Sequence, residues 1–114
     1  MAILKIESPP TQEEFKKLSE EFGEYIKLVA DVDKEILYGG SRLHADIEKI
    51  LIDSNSLQKN IWGGGIDLIS QKIDCFAVAN IRPDLNPSTE ILNPIIREKF
   101  IEIVKKYFPE FIYG

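Results

Sequence analysis

The chain has 114 residues, 44% of them hydrophobic and 29% charged, which fits one globular domain over residues 1–114 and excludes a disordered polymer. Nineteen acidic residues against fourteen basic ones leave a net charge of −5, which opposes long-range attraction of nucleic acid. A single cysteine, Cys75, excludes an internal disulfide and offers no metal-ligand spacing.

No charged-then-apolar leader opens the chain, and no apolar run nears the roughly 20 residues of a membrane span. Both point to a reducing cytoplasm. The abundance of Ile, Lys and Glu hints at a heat-adapted source.

Residues 2–6 (AILKI) predict a short apolar strand that Pro9-Pro10 stops. Thr11 stands three residues before Glu14, the pairing in which each side chain satisfies the other's free amide at a helix start. Phe15, Leu18 and Phe22 follow at helical spacing, and Gly23 supplies a left-handed stop, so a helix is expected over 12–22. Tyr25 to Val32 and Glu35 to Tyr38 read as a β-hairpin turning at Asp33-Lys34. Asp31, Asp33 and Glu35 gather at this turn without the glycine and distal glutamate of a calcium loop, and read as a solvated acidic turn.

Gly39-Gly40 ends the hairpin, and Ser41 caps a second helix with Leu43, Ile47, Ile50 and Leu51 on one face. A polar turn at 53–56 follows. Ile61-Trp62 resumes apolar character, Gly63-Gly64-Gly65 interrupts it, and Ile66 to Ile69 continues as a strand. After a turn at Gln71-Lys72, Ile73 to Ile81 predicts one long strand ended by Arg82-Pro83. Residues 84–93 form a loop. Asn93-Pro94 then opens a last helix, with Ile96, Phe100, Ile103, Val104 and Tyr107 facing inward. The expected fold is α+β, of order β-α-β-β-α-β-β-α, with a mixed or mainly antiparallel sheet and helices packed on one face.

Three constellations carry candidate chemistry. His44, Asp46 and Glu48 spell H-x-D-x-E, but on a helix Asp46 points roughly 160° away from His44, so no metal set forms. The start of the same helix is different. Free amide groups beside Gly40-Ser41, flanked by Arg42 and the only histidine, His44, suit an anion, with His44 as acid–base group. The alternative makes His44 a boundary core residue bonded to backbone. No lysine follows the glycines as in a nucleotide-binding loop.

In the third constellation, Asn80, Arg82, Asn86 and Ser88 either tie down the long loop, with Arg82 on a carboxylate such as Glu90, or present Arg82 as a planar fork to a ligand anion. Arg97 reads as a side chain lying along the core. Trp62 reads either as part of a loop closing over a ligand or as a core plug. Cys75 reads as inert packing.

The segments LHADIEKILI (43–52), SLQKNIWG (56–63) and NIRPDLNPSTEILNPIIREKF (80–100) carry the patterns L-H-A-D-x-E, Q-x-x-x-W-G and N-I-R-P…N-x-S. Together they resemble a small prokaryotic family of unknown function, with Gly64-Gly65 standing where that pattern has bulkier residues. The resemblance implies kinship, supplies no activity, and directs attention to His44, Asp46, Gln58, Trp62, Asn80, Arg82, Asn86 and Ser88.

The expected function is binding of a small anion in a polar pocket, with no cofactor and no metal. Ser41, Arg42, Trp62, Asn80, Arg82, Asn86 and Ser88 line the pocket and His44 serves as catalytic group. The alternative is a non-enzymatic homodimer or the partner of a small protein. It would display Trp62 and the aromatic tail Tyr107-Phe108…Phe111-Ile112-Tyr113 on a shared surface. Nucleic acid ranks last as a partner, and a membrane is excluded.

Overall fold

The structure, a computed structural model, describes residues 3–19, 23–40 and 44–113. Its strands are β1 (Leu4–Ile6), β2 (Tyr25–Asp31), β3 (Ile36–Gly39), β4 (Ile61–Asp67), β5 (Lys72–Asp74) and β6 (Ile112–Tyr113). Its helices are α1 (Gln12–Leu18), α2 (His44–Asp53) and α3 (Pro94–Tyr107), with short 3-10 turns at Gln58–Asn60 and Val78–Asn80. The sheet runs β1-β3-β2-β4-β5-β6, antiparallel throughout except for the parallel β5–β6 pair. The expected element order and mixed sheet are present.

Local chemistry sets the boundaries. Thr11 N donates to Glu14 Oε1 at 2.9 Å and Glu14 N donates to Thr11 Oγ1 at 3.1 Å, the reciprocal cap of α1. Gly23, at φ +69°, takes the left-handed conformation after that helix. Asn93 caps α3 by accepting from Ile95 N and Ile96 N, with Pro94 as its first residue. At the hairpin turn, Asp31 Oδ1 accepts from Asp33 N at 3.0 Å and Lys34 N at 2.9 Å. Asp31 is therefore buried in its own turn, while Asp33 and Glu35 stand in solvent.

Side chains alternate across β2 and separate two cores. Ile26, Leu28 and Ala30 join Trp62, Ile66, Phe100 and Val104 in the larger one, against α1 and α3. Val29 joins Ile47, Leu51 and Ile61 in the smaller one, under α2. Helices on one face is thus correct for α1 and α3 but not for α2, which covers the opposite face. The register of β2 exposes apolar residues on both sides, so both must be covered.

Two further expectations are corrected. Gly63-Gly64-Gly65 does not interrupt the sheet: it is the centre of β4, paired with Lys27, Leu28 and Val29. Nor is Ile73 to Ile81 one strand. The chain turns through residues 68–71, β5 ends at Asp74, and Phe76 makes an isolated bridge to Glu90 before the turn at Val78–Asn80. The tail also folds back, with Phe108 and Phe111 buried and β6 added beside β5. No helix among the described residues is long and apolar enough to cross a membrane.

Candidate functional site

The glycine run of β4 makes room for rings. A Cβ on Gly63 would meet Ala77 Cβ at 2.8 Å and the His44 ring at 3.1 Å, and one on Gly64 would meet the Phe100 ring at 2.7 Å. Gly65 in turn is covered by the ring of Tyr25. The three glycines therefore permit side chains from α2, α3 and β2 to lie directly on the strand.

His44, the first residue of α2, rests on this strip with Nε2 2.8 Å from Gly64 O. A carbonyl only accepts, so Nε2 carries the proton, and Nδ1 of the neutral ring keeps its lone pair. Burial pushes the imidazole below its ordinary pKa, the Gly64 carbonyl resists, and the nearby Lys27 charge adds to the fall.

Asn80 sits on the other side of Gly63 and closes the strand edge where β5 has ended. Gly63 N donates to Asn80 Oδ1 at 2.8 Å, and Asn80 Nδ2 donates to Gly63 O at 2.9 Å and Thr89 O at 2.9 Å. Two residues along β4, Arg82 Nη2 donates to Ile61 O while the guanidinium lies 4.1 Å from the centre of the Trp62 ring. Among the described residues, Arg82 Nε and Nη1 are buried without a hydrogen-bond partner. Burial lowers the pKa of Arg82, and the charge of Glu48, one turn along α2 from His44, opposes that fall.

Asn86 and Ser88 belong to the loop itself. Asn86 Nδ2 donates to the carbonyls of Asn80, Ser88 and Glu90, Asn86 Oδ1 accepts from Leu92 N, and Ser88 Oγ accepts from Glu90 N. Arg97 Nη1 donates to Ile91 O. Asn80, Asn86 and Ser88 therefore act as loop ties. Trp62, 1% exposed, is the core plug of the two readings, its indole Nε1 donating to Lys59 O. That burial, with Phe108 and Phe111 also inside, takes three aromatic residues off the display surface expected for a dimer and leaves Ile112 and Tyr113 exposed. Ser41 and Arg42 lie outside the described residues.

Beside His44 is a polar group that the sequence reading missed. Tyr25 Oη donates to Asp74 Oδ1 at 3.1 Å, and Lys27 Nζ lies 5.6 Å from the centre of the Tyr25 ring. Burial raises the pKa of Tyr25, and the Asp74 carboxylate adds to it. Burial likewise raises Asp74 above the usual carboxylate value. Strand alternation over 25–31 would have placed Tyr25 and Lys27 on the face of Val29, but their link to Asp74 is not a local signal.

Two clefts lie apart from all of these residues. One, of about 280 Å³, separates the turn at 32–35 from Lys99, Glu102 and Lys106 of α3; the other, of about 150 Å³, lies beside β1 and α1.

The fold and site define a single-domain α+β protein, with a glycine-centred strand that bears a histidine on one face and an arginine at its edge. The chain belongs to a family of proteins of unknown function, DUF5674, whose sequence profile matches residues 4–107. Neither a curated protein nor a solved structure matches it.

Proposed function

We propose that this protein binds a small anion, a phosphate or carboxylate, at the corner where α2 passes over the edge of β4. Arg82 is the anion anchor, and His44 accepts or returns a proton through Nδ1. The observation that supports this most directly is the buried Nε and Nη1 of Arg82, two donors of a permanently charged group without acceptors among the described residues. Each such donor costs about 1–3 kcal/mol when left unmade, and Glu48 contributes charge but no hydrogen bond to either. An oxyanion would supply both the acceptor and the countercharge. His44 bonds the Gly64 carbonyl, three β4 residues from the Ile61 carbonyl that Arg82 holds, or about 10 Å along the strand. A lone buried thiol, with the Cys75 pKa pushed up to about 12 by burial, suits a reducing cytoplasm.

Titration with inorganic phosphate and with acetate, followed by Arg82 side-chain NMR signals and by melting, tests the reading. Ligand at about a hundred times its Kd should stabilise the fold by about 2.7 kcal/mol. Arg82→Gln should abolish that gain. Failure of both anions to move the Arg82 signals would overturn it.

A homodimer is the second reading, supported by the exposed strand edge of β6, where Ile112 is 56% and Tyr113 43% exposed. Sedimentation of a single monomeric species at micromolar concentration would refute it.

A further inference from the structure

The exposed apolar side chains of this protein are concentrated in one loop. Eleven large hydrophobic residues stand in solvent among the described residues, and six of them, Phe76, Val78, Ile81, Leu85, Leu92 and Ile95, fall within residues 76–95. A single exposed leucine or isoleucine is ordinary, but six in one short segment are not.

Asn86 draws these residues into one body. Its Nδ2 donates to the carbonyls of Asn80, Ser88 and Glu90, and its Oδ1 accepts from Leu92 N. On the backbone, Arg82 N donates to Asn86 O at 2.8 Å and Asn86 N donates to Arg82 O at 2.6 Å. Ile81, Leu85 and Leu92 therefore stand beside groups bonded to Asn86. Phe76 joins through its bridge to Glu90, and Ile81 N ties back to Val78 O at 3.0 Å. The inward side of the loop is already filled by Ala77, Asn80, Asn86 and Ile91, so the six outward residues have no place in the protein's own core.

Area and charge say what covers them. Val78 is 76% exposed, Ile95 67% and Leu85 61%. At roughly 200 Å² for a whole side chain of this size, the six leave on the order of 700 Å² in solvent. That is more than the largest patch of an ordinary monomer, about 300–600 Å², and close to the about 800 Å² that each partner of a stable dimer buries. Only Arg82, Asp84 and Glu90 carry charge among these twenty residues, against 29% of the whole chain. Arg82 is turned inward onto Ile61 and Trp62, so the loop has no basic rim to hold an anionic lipid surface or a nucleic acid. Two copies of a chain of net charge −5 repel each other, and they do so least where the surface is near neutral. A near-neutral apolar patch is also complementary to itself about a twofold axis.

We infer that the 76–95 loop is the contact face of a twofold homodimer, with the loop of one copy packed on the loop of the second. The inference rests on the homodimer reading and moves its contact from the β6 edge to this loop.

Sedimentation of the whole chain across the micromolar range tests it, with circular dichroism to confirm that each variant folds. The parent should become dimeric as concentration rises. Leu85→Asp should weaken association by at least about 100-fold, about tenfold for each of the two side chains lost from a twofold contact. Ile112→Asp, at the β6 edge, should leave association unchanged. If Leu85→Asp fails to fold, Val78→Asp, at the most exposed position of the loop, serves instead. A monomer at every concentration would refute the homodimer reading and the inference together. A dimer that persists in the loop variant, or one that Ile112→Asp dissolves, would overturn the loop contact and leave the homodimer reading standing.

Discussion

The side-chain amide of Asn80 pairs with both backbone groups of Gly63, donating to its carbonyl at 2.9 Å and accepting from its N–H at 2.8 Å. It thereby imitates a neighbouring strand where β5 has already left β4. Asn80→Ala should remove these bonds and those to the Cys75 and Thr89 carbonyls, costing about 3 kcal/mol or more. Urea denaturation measures the loss. A cost below about 1 kcal/mol would show that the clamp is dispensable.

A Cβ on Gly64 would collide with the backbone carbonyl oxygen of Asp74 and come within 2.7 Å of the Phe100 ring. The ring can turn aside but the backbone of β5 cannot, so Gly64→Ala should destabilise by about 3 kcal/mol or more, measured by urea denaturation. Phe100→Leu in the same chain should leave most of that loss in place. Full recovery in the double variant would contradict the packing described.

His44 should titrate below its ordinary value of 6.5, because burial disfavours the imidazolium. The unfolded chain then binds a proton more readily than the folded one. The contribution of His44 is fully present above pH 6.5 and is lost as pH falls through the lowered folded pKa. His44→Gln should flatten that part of the stability–pH curve. NMR titration of the ring gives the pKa directly, and a midpoint above 6.5 would refute the assignment.

Asp74 shifts in the opposite sense. Its raised folded pKa means that ionisation opposes folding, so its contribution is present below the ordinary value of 3.8 and is lost as pH rises through the folded pKa. Asp74→Asn keeps an acceptor for Tyr25 Oη and Phe76 N and removes the charge. At neutral pH it should therefore melt at the same temperature as the parent or higher. A clear drop would mean that the charge itself is required for folding.

Phe111 stacks on Phe15 with centroids 6.3 Å apart and closes the larger core beside Phe108. Phe111→Ala should cost about 3 kcal/mol. The sedimentation coefficient should not change if the tail serves its own core. Loss of a dimer in the variant would reverse that assignment.

The helix caps at Thr11 and Asn93, the hairpin at Asp31, the buried stripe of Ile47 and Leu51 and the strand-helix order could all be read from the chain. Each is made by residues within a few positions of one another. The candidate site was only half visible. His44 and Arg82 stood out as rare or charged types, but Tyr25, Lys27 and Asp74 gained meaning only when β2, β4 and β5 came side by side.

The same division accounts for the errors. Three consecutive glycines carry no strand preference, and they form the centre of β4 because rings contributed by α2, α3 and β2 occupy the space their missing side chains leave. Asn80 stands in an apolar run that looks like a strand, yet its amide is the edge partner that lets β5 stop early. Local chemistry along the chain was enough to make the elements. Which face α2 covers, how the tail closes the core and which polar groups meet over Gly63 and Gly65 depended on contacts between residues distant in sequence, and those exist only after folding.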